Sequence, residues 1–161
     1  MKNKNPFFYT LDNKRYHTLN YFLKNKFHKK VYKVSLNAGL PCPNSKNGHG
    51  CIYCSNQSGD FAGKKTDDLI TQFKEVQTKM SKKWSDAYYI AYFQAGTNTN
   101  APLSVLKQHS ETVLKIPDVV GLSIATRSDC FTKEIYDYLE RLNKRTFLTI
   151  ELGLQSMHDE T

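Results

Sequence analysis

Three cysteines, Cys42, Cys51 and Cys54, fall within thirteen consecutive positions of the segment PCPNSKNGHGCIYCSNQ, while Cys130 stands alone far along the chain. Thiolates are metal ligands as well as nucleophiles. The chain's first residues, MKNKNPFFYTLDNK, lack the apolar middle of a secretory leader, so a reducing, cytoplasmic setting is expected. There, clustered thiols read as ligands of a metal or cluster rather than as disulfides. Gly48 and Gly50 offer the positive φ angles that a loop wrapped around a compact inorganic centre needs. Two centres suit the pattern. Three thiolates can hold three irons of a 4Fe-4S cubane, leaving the fourth iron without a protein ligand. Alternatively, the same cysteines with His49 or Cys130 can close a tetrahedral zinc site. Spacing by itself leaves both open.

Such a loop needs a frame, and the flanking residues supply one. Val31 to Leu36 alternates apolar and polar residues in the β-branched manner of a strand and breaks at Gly39-Leu40-Pro41, so the cysteines follow a strand. Thr66 and Asp67 can cap a helix whose apolar residues Leu69, Ile70, Phe73, Val76, Met80 and Trp84 recur at helical spacing. Ala87 to Phe93 is a continuous apolar run, expected of a strand covered on both faces, and ends in the polar turn Gln94-Ala95-Gly96-Thr97-Asn98. A helix from about Pro102 to Leu114, begun by Asn100, precedes a strand at Val119 to Ala125. A helix capped by Thr132, with Ile135, Leu139 and Leu142 on one side, then leads to a strand from Phe147 to Leu154. Strands alternating with helices predict parallel pairing through βαβ crossovers, an α/β fold with four such strands. A cysteine loop directly after the first strand of this array favours the cluster, because zinc ribbons normally sit on short hairpins.

The remaining composition sets bounds. With 161 residues, 39% hydrophobic and 12% aromatic, the chain can bury an ordinary core. No apolar run approaches the roughly 18 residues of a membrane span, so no membrane association is expected. Residues 1–30 read as a partly helical N-terminal extension, with Tyr16, Leu19, Tyr21, Phe22 and Leu23 its apolar members, and residues 31–161 as the αβ body. The body stops soon after its fourth strand, which predicts a truncated chain. A net charge of +8 favours phosphate-rich partners such as RNA. A zinc-stabilised RNA-binding module without catalysis is therefore the rival to a cluster enzyme. His17, His28, His109 and His158 have no ligand spacing, and no Gly-x-Ser-x-Gly, Walker or Rossmann pattern competes.

Taken together, RYHTLNYFLKNKF, KVYKVSLNAGLPCPN, GCIYCSN, YFQAGTNTNAP, LSIATRSDCF and ELGLQS resemble the radical SAM proteins, over nearly the whole chain. More narrowly they look like the YhcC/YtqA-like branch, which is similar to the radical SAM subunit of elongator. The eight-residue gap between Cys42 and Cys51 departs from the commonest radical SAM spacing and matches this branch. The resemblance implies a partial TIM-like (β/α) barrel, of six strands when complete, with the first four present. It implies a 4Fe-4S cluster on Cys42, Cys51 and Cys54, whose open iron chelates S-adenosylmethionine for reductive cleavage to a 5′-deoxyadenosyl radical. A reductase, flavodoxin or ferredoxin would donate the electron, and tRNA is the substrate suggested by analogy with elongator. By the same resemblance Tyr53 lies near the adenine. Gln94, Ala95, Gly96 and Thr97 stand where the superfamily's glycine-rich segment contacts the methionyl amino group, although the usual Gly-Gly-Glu is missing. Arg127 and Asp129 are placed in the cavity, and Glu151 and Gln155 near ribose or methionine.

Overall fold

The computed structural model describes residues 14–45, 50–51, 54, 62–153 and 156–158. Four strands, β1 (Lys30–Leu36), β2 (Ala87–Phe93), β3 (Val119–Thr126) and β4 (Phe147–Leu152), alternate with helices α1 (Leu19–Phe27), α2 (Leu69–Ser81), α3 (Leu103–Leu114) and α4 (Lys133–Asn143). All pairings are parallel, and the sheet order β1-β2-β3-β4 follows the chain. The predicted α/β alternation is therefore present.

The pleat gives the sheet two different faces. Val34 and Leu36 of β1, Tyr89, Ala91 and Phe93 of β2, and Leu122 and Ile124 of β3 point to the side covered by the three crossover helices. There they meet Phe73 of α2, Leu106 and Val113 of α3, and Ile135, Leu139 and Leu142 of α4, the main core. Each of these large side chains contributes about 1.5–3 kcal/mol by leaving water. The other face is split along its length. Near the amino ends of the strands α1 lays Leu23 and Phe27 against Val31, Ile90, Tyr88, Val120 and Phe147. Towards the carboxyl ends the same face turns polar.

Helix starts differ from the sequence expectation by one or two residues, for a local reason. The side chain of Asp68, rather than Thr66 or Asp67, accepts from the N–H groups of Ile70 and Thr71 at 2.9 and 3.0 Å. Pro102, not Asn100, occupies the cap position of α3 and offers no side-chain hydrogen bond. Trp84 lies beyond the end of α2 and packs on Tyr32 at 4.7 Å between ring centroids. Thr132 caps α4 as expected. The fourth strand ends at Leu152, and Leu154 lies outside the described residues. Among the described residues no helix is long and apolar enough to cross a membrane.

Candidate functional site

The chain leaves β1 at Leu36 and runs through Asn37–Pro41 to Cys42, fastened from two sides. On one, Gln72 of α2, only 2% exposed, accepts from the Asn37 N–H at 2.8 Å and donates to the carbonyls of Asn37, Lys64 and Asp67. On the other, the loop after β2 closes over it. Gly96 has φ +73°, and the Leu40 carbonyl oxygen lies 1.9 Å from where a Cβ would stand, so only glycine permits this approach. Asn100 Nδ2 donates to the Pro41 carbonyl at 3.2 Å. The strand ends thus hold Cys42 in place before any ligand is considered.

Beyond Cys42 a short 3₁₀ turn, Pro43–Ser45, folds back so that the Ser45 N–H and hydroxyl both donate to the Cys42 carbonyl, at 3.0 and 2.7 Å. Asn44 Nδ2 donates to Cys51 Sγ at 3.1 Å. The Cys54 N–H donates to the Cys51 carbonyl at 2.9 Å. The three predicted cysteines are therefore neighbours, near enough that Cys51 and Cys42 both act on the Cys54 thiol. Burial pushes that thiol up, and the two other cysteines push it the same way. Cys42 behaves oppositely. Burial raises its thiol, but hydrogen bonds from Thr97, the Asn44 backbone and Arg127, with the Arg127 charge, outweigh that and leave it below the ordinary value.

Arg127 reaches Cys42 from the end of β3 and is itself gripped by Asp129, whose carboxylate accepts from Nε at 2.9 Å and Nη2 at 2.7 Å. This fork draws the Asp129 carboxyl down to about 2 and, led by the bond to Asp129 and against burial, raises Arg127. The pair is thus both an exposed ion pair and a neighbour of the cysteine loop. Cys130 is adjacent, its Sγ 3.5 Å from Asp129 Oδ1, with a thiol raised first by burial. No disulfide joins any of the four cysteines. Among the described residues, no three or more His, Cys, Asp or Glu side chains are drawn together as around a single metal ion. A tetrahedral ion needs ligands converging on one point, whereas a cubane needs thiolates on separate irons.

The segment expected to face a methionyl group is built into the frame. Ala95 and Thr97 are buried, and Asn98, wholly buried, donates to the carbonyls of Phe93, Ala95 and Ala125 at 3.0, 3.2 and 2.9 Å. Thr99 and Thr126 share a hydroxyl hydrogen bond of 2.5 Å. Asn98 and the two threonines thereby lock the ends of β2 and β3 together. Gln94 points to the polar face, where its Oε1 accepts from Ser35 at 2.9 Å.

On that polar face Glu151 is the hub. Its carboxylate takes an ion pair from Lys33, the Tyr92 hydroxyl at 2.6 Å and the Ser123 hydroxyl at 3.0 Å, so all four strands contribute a side chain. Burial pushes the Glu151 carboxyl up, but Lys33 and Tyr92, with Ser123, more than reverse it. Tyr92 is raised well above the usual phenol range by burial and by the Glu151 carboxylate. The ammonium of Lys33 also lies 4.4 Å from the Tyr92 ring centre. Sequence reasoning found Glu151 and missed its partners. Lys33 could have been found from the alternation of β1, whereas Tyr92 is hidden in a continuous apolar run. Tyr53, Gln155, His49 and Gly48 lie outside the described residues.

Two cavities lie away from this chemistry. One of about 310 Å³ sits between the start of α2 and α3, beside Lys65, Asp68 and His109. The other, about 520 Å³ and mostly apolar, runs between α4 and β4 beside Phe131, Leu139, Leu148 and Ile150. Neither includes a cysteine, and neither outweighs the convergence of strand ends on Cys42.

No protein-family model matches the chain, and no solved structure matches it. The chain is similar to the uncharacterized protein YtqA of Bacillus subtilis (strain 168), 54% identical over 165 residues that cover 100% of this chain and 51% of that protein. It is 39% identical over 144 residues to the uncharacterized protein MJ0486 of Methanocaldococcus jannaschii, covering 87% of this chain and 44% of that one. To the protein YhcC of Escherichia coli (strain K12) it is 30% identical over 144 residues, covering 86% and 45%. The chain spans about half the length of these curated relatives.

Proposed function

We propose that this chain is the cluster-bearing part of a radical SAM enzyme, with Cys42, Cys51 and Cys54 as ligands of a 4Fe-4S cluster. One observation carries the reading: three thiols gather beyond the carboxyl end of the first strand of a parallel βα sheet, against side chains from the ends of the next two. Parallel βα folds place their ligands at that end of the sheet. The donor set suits such a cluster, since hydrogen bonds and the Arg127 charge favour the thiolate at Cys42. When bound, the cluster would supply the electron for reductive cleavage of S-adenosylmethionine to methionine and a 5′-deoxyadenosyl radical.

The chain's own residues have separable tasks. Gly96, Asn100 and Gln72 hold the approach to Cys42 rigid. Thr97 and Arg127 neutralise charge on its sulfur. Lys33, Tyr92, Ser123 and Glu151 form a hydrogen-bonded polar wall on the inner face, where the cosubstrate or the substrate would be oriented. A partial TIM-like barrel accommodates these placements, because a sheet wound in chain order is its repeating arrangement. A cytoplasmic location, an electron donor of the flavodoxin, ferredoxin or reductase type, and RNA, tRNA in particular, as substrate belong to the same proposal.

Anaerobic treatment with iron and sulfide is expected to give about four irons and four acid-labile sulfides per chain. Replacing Cys42, Cys51 or Cys54 by Ser should abolish that uptake, while Cys130→Ser should not. A longer relative such as YtqA, reduced with dithionite, should release 5′-deoxyadenosine. A colourless protein that retains zinc and takes up no sulfide would sink the reading in favour of the zinc-stabilised RNA-binding module.

A further inference from the structure

The hydrogen bonds on the cysteine sulfurs are unevenly distributed. Asn44 serves two of the three cysteines at once: its backbone N–H bonds Cys42, and its side-chain amide lies 3.1 Å from Cys51 Sγ. Cys42 receives two more donors, from the buried Thr97 hydroxyl and from Arg127. Cys54 receives none of these; its nearest influences are the other two sulfurs. These donors are not incidental to a mobile surface. Thr97 is held 2% exposed in the loop that Gly96 packs against Leu40, and the Arg127 guanidinium is fixed by both oxygens of Asp129.

We propose that Asn44, Thr97 and Arg127 are positioning residues that make the cluster on these cysteines easier to reduce, by donating to Cys42 and Cys51 while leaving Cys54 bare. The inference rests on the cluster reading above. Adding an electron to a cluster increases the negative charge on its sulfurs, and donors or a cation aimed at them stabilise the reduced form more than the oxidised one. The two donated corners are then the electron-accepting side, and the Cys54 corner is the electron-rich one. Asn44 links the first cysteine to the second across an eight-residue gap, so that one residue adjusts both.

The test is the midpoint potential of the reconstituted cluster, followed by electron paramagnetic resonance in a redox titration without S-adenosylmethionine. Thr97→Val keeps the shape of the buried side chain and removes its hydroxyl. Asn44→Ala removes an exposed amide and leaves the backbone donor, so it challenges the core least. Both variants should keep the wild-type iron and sulfide content and show a lower potential than wild type, and Thr97→Ser should restore most of the loss. A cluster that assembles fully in Thr97→Val and Asn44→Ala at the wild-type potential overturns this inference alone. If wild-type protein assembles no cluster, the parent reading fails and this one with it. Should Thr97→Val fail to fold, Asn44→Ala decides the matter.

Discussion

Glu151 is a carboxylate more than half removed from solvent, with three donors from three other strands, and its ionised form belongs to the folded state. Because those donors hold its folded pKa below the ordinary value, they stabilise the fold above the ordinary carboxylate range, and that stability disappears as pH falls through the folded value. Glu151→Gln should therefore cost about 1–3 kcal/mol near neutral pH, the worth of hydrogen bonds to a charged group. In urea titrations the gap between wild type and variant should close below roughly pH 4. A gap that stays constant from neutral to acidic pH would mean that the carboxylate's charge is not what the network uses. How such residues could be recognised in advance varies with the strand. Cys42, Cys51 and Cys54 declare themselves by spacing, and Glu151 by the ELGLQS match. Tyr92 and Ser123 do not, because in strands apolar throughout nothing local says which face will meet water. Gln72 gives no signal at all: a glutamine on a helix is ordinarily solvated, and only tertiary closure buries it.

The loop between β2 and α3 does more than connect them. It grips the segment leading to Cys42 through Gly96 and Asn100 and ties β2 to β3 through Asn98. Gly96→Ala combines an unfavourable positive φ with a clash against Leu40, and should destabilise the fold by about 1–3 kcal/mol. Hydrogen exchange should show the added opening concentrated in residues 37–42 and 94–100. If exchange rises elsewhere and those segments stay protected, the proposed contact is not what holds the loop. The existence and order of these elements were readable from periodicity, since each strand and helix has the residues its period requires. Their exact starts were not. Three consecutive residues, Thr66, Asp67 and Asp68, can all cap α2, and the choice falls to whichever oxygen the tertiary fold leaves facing the first free N–H groups. The role of the QAGT segment was similarly hidden, because sequence shows a polar turn and not what presses against it.

The molecule as a whole divides its labour between two sides of one sheet. The helix-covered side supplies stability through a close-packed core, in which Phe73 is fully buried and meets Tyr89 edge-on at 5.6 Å. Phe73→Ala should cost about 3–5 kcal/mol in chemical denaturation, as large core truncations do. A loss below about 1 kcal/mol would show that the core refills the space. The opposite side supplies chemistry and tolerates a half-buried ion pair that contributes little to stability for its desolvation. That asymmetry was only partly foreseeable, for the alternation of β1 announces it and the unbroken apolar run of β2 conceals it. Helix α1 adds a direction to it. By plugging the amino ends of the strands with Leu23 and Phe27 against Phe147, it seals the floor beneath the polar wall. Small molecules bound for Lys33 and Glu151 are thereby denied passage from below, so reactants and departing products share one doorway, on the side where Cys42 and Arg127 stand.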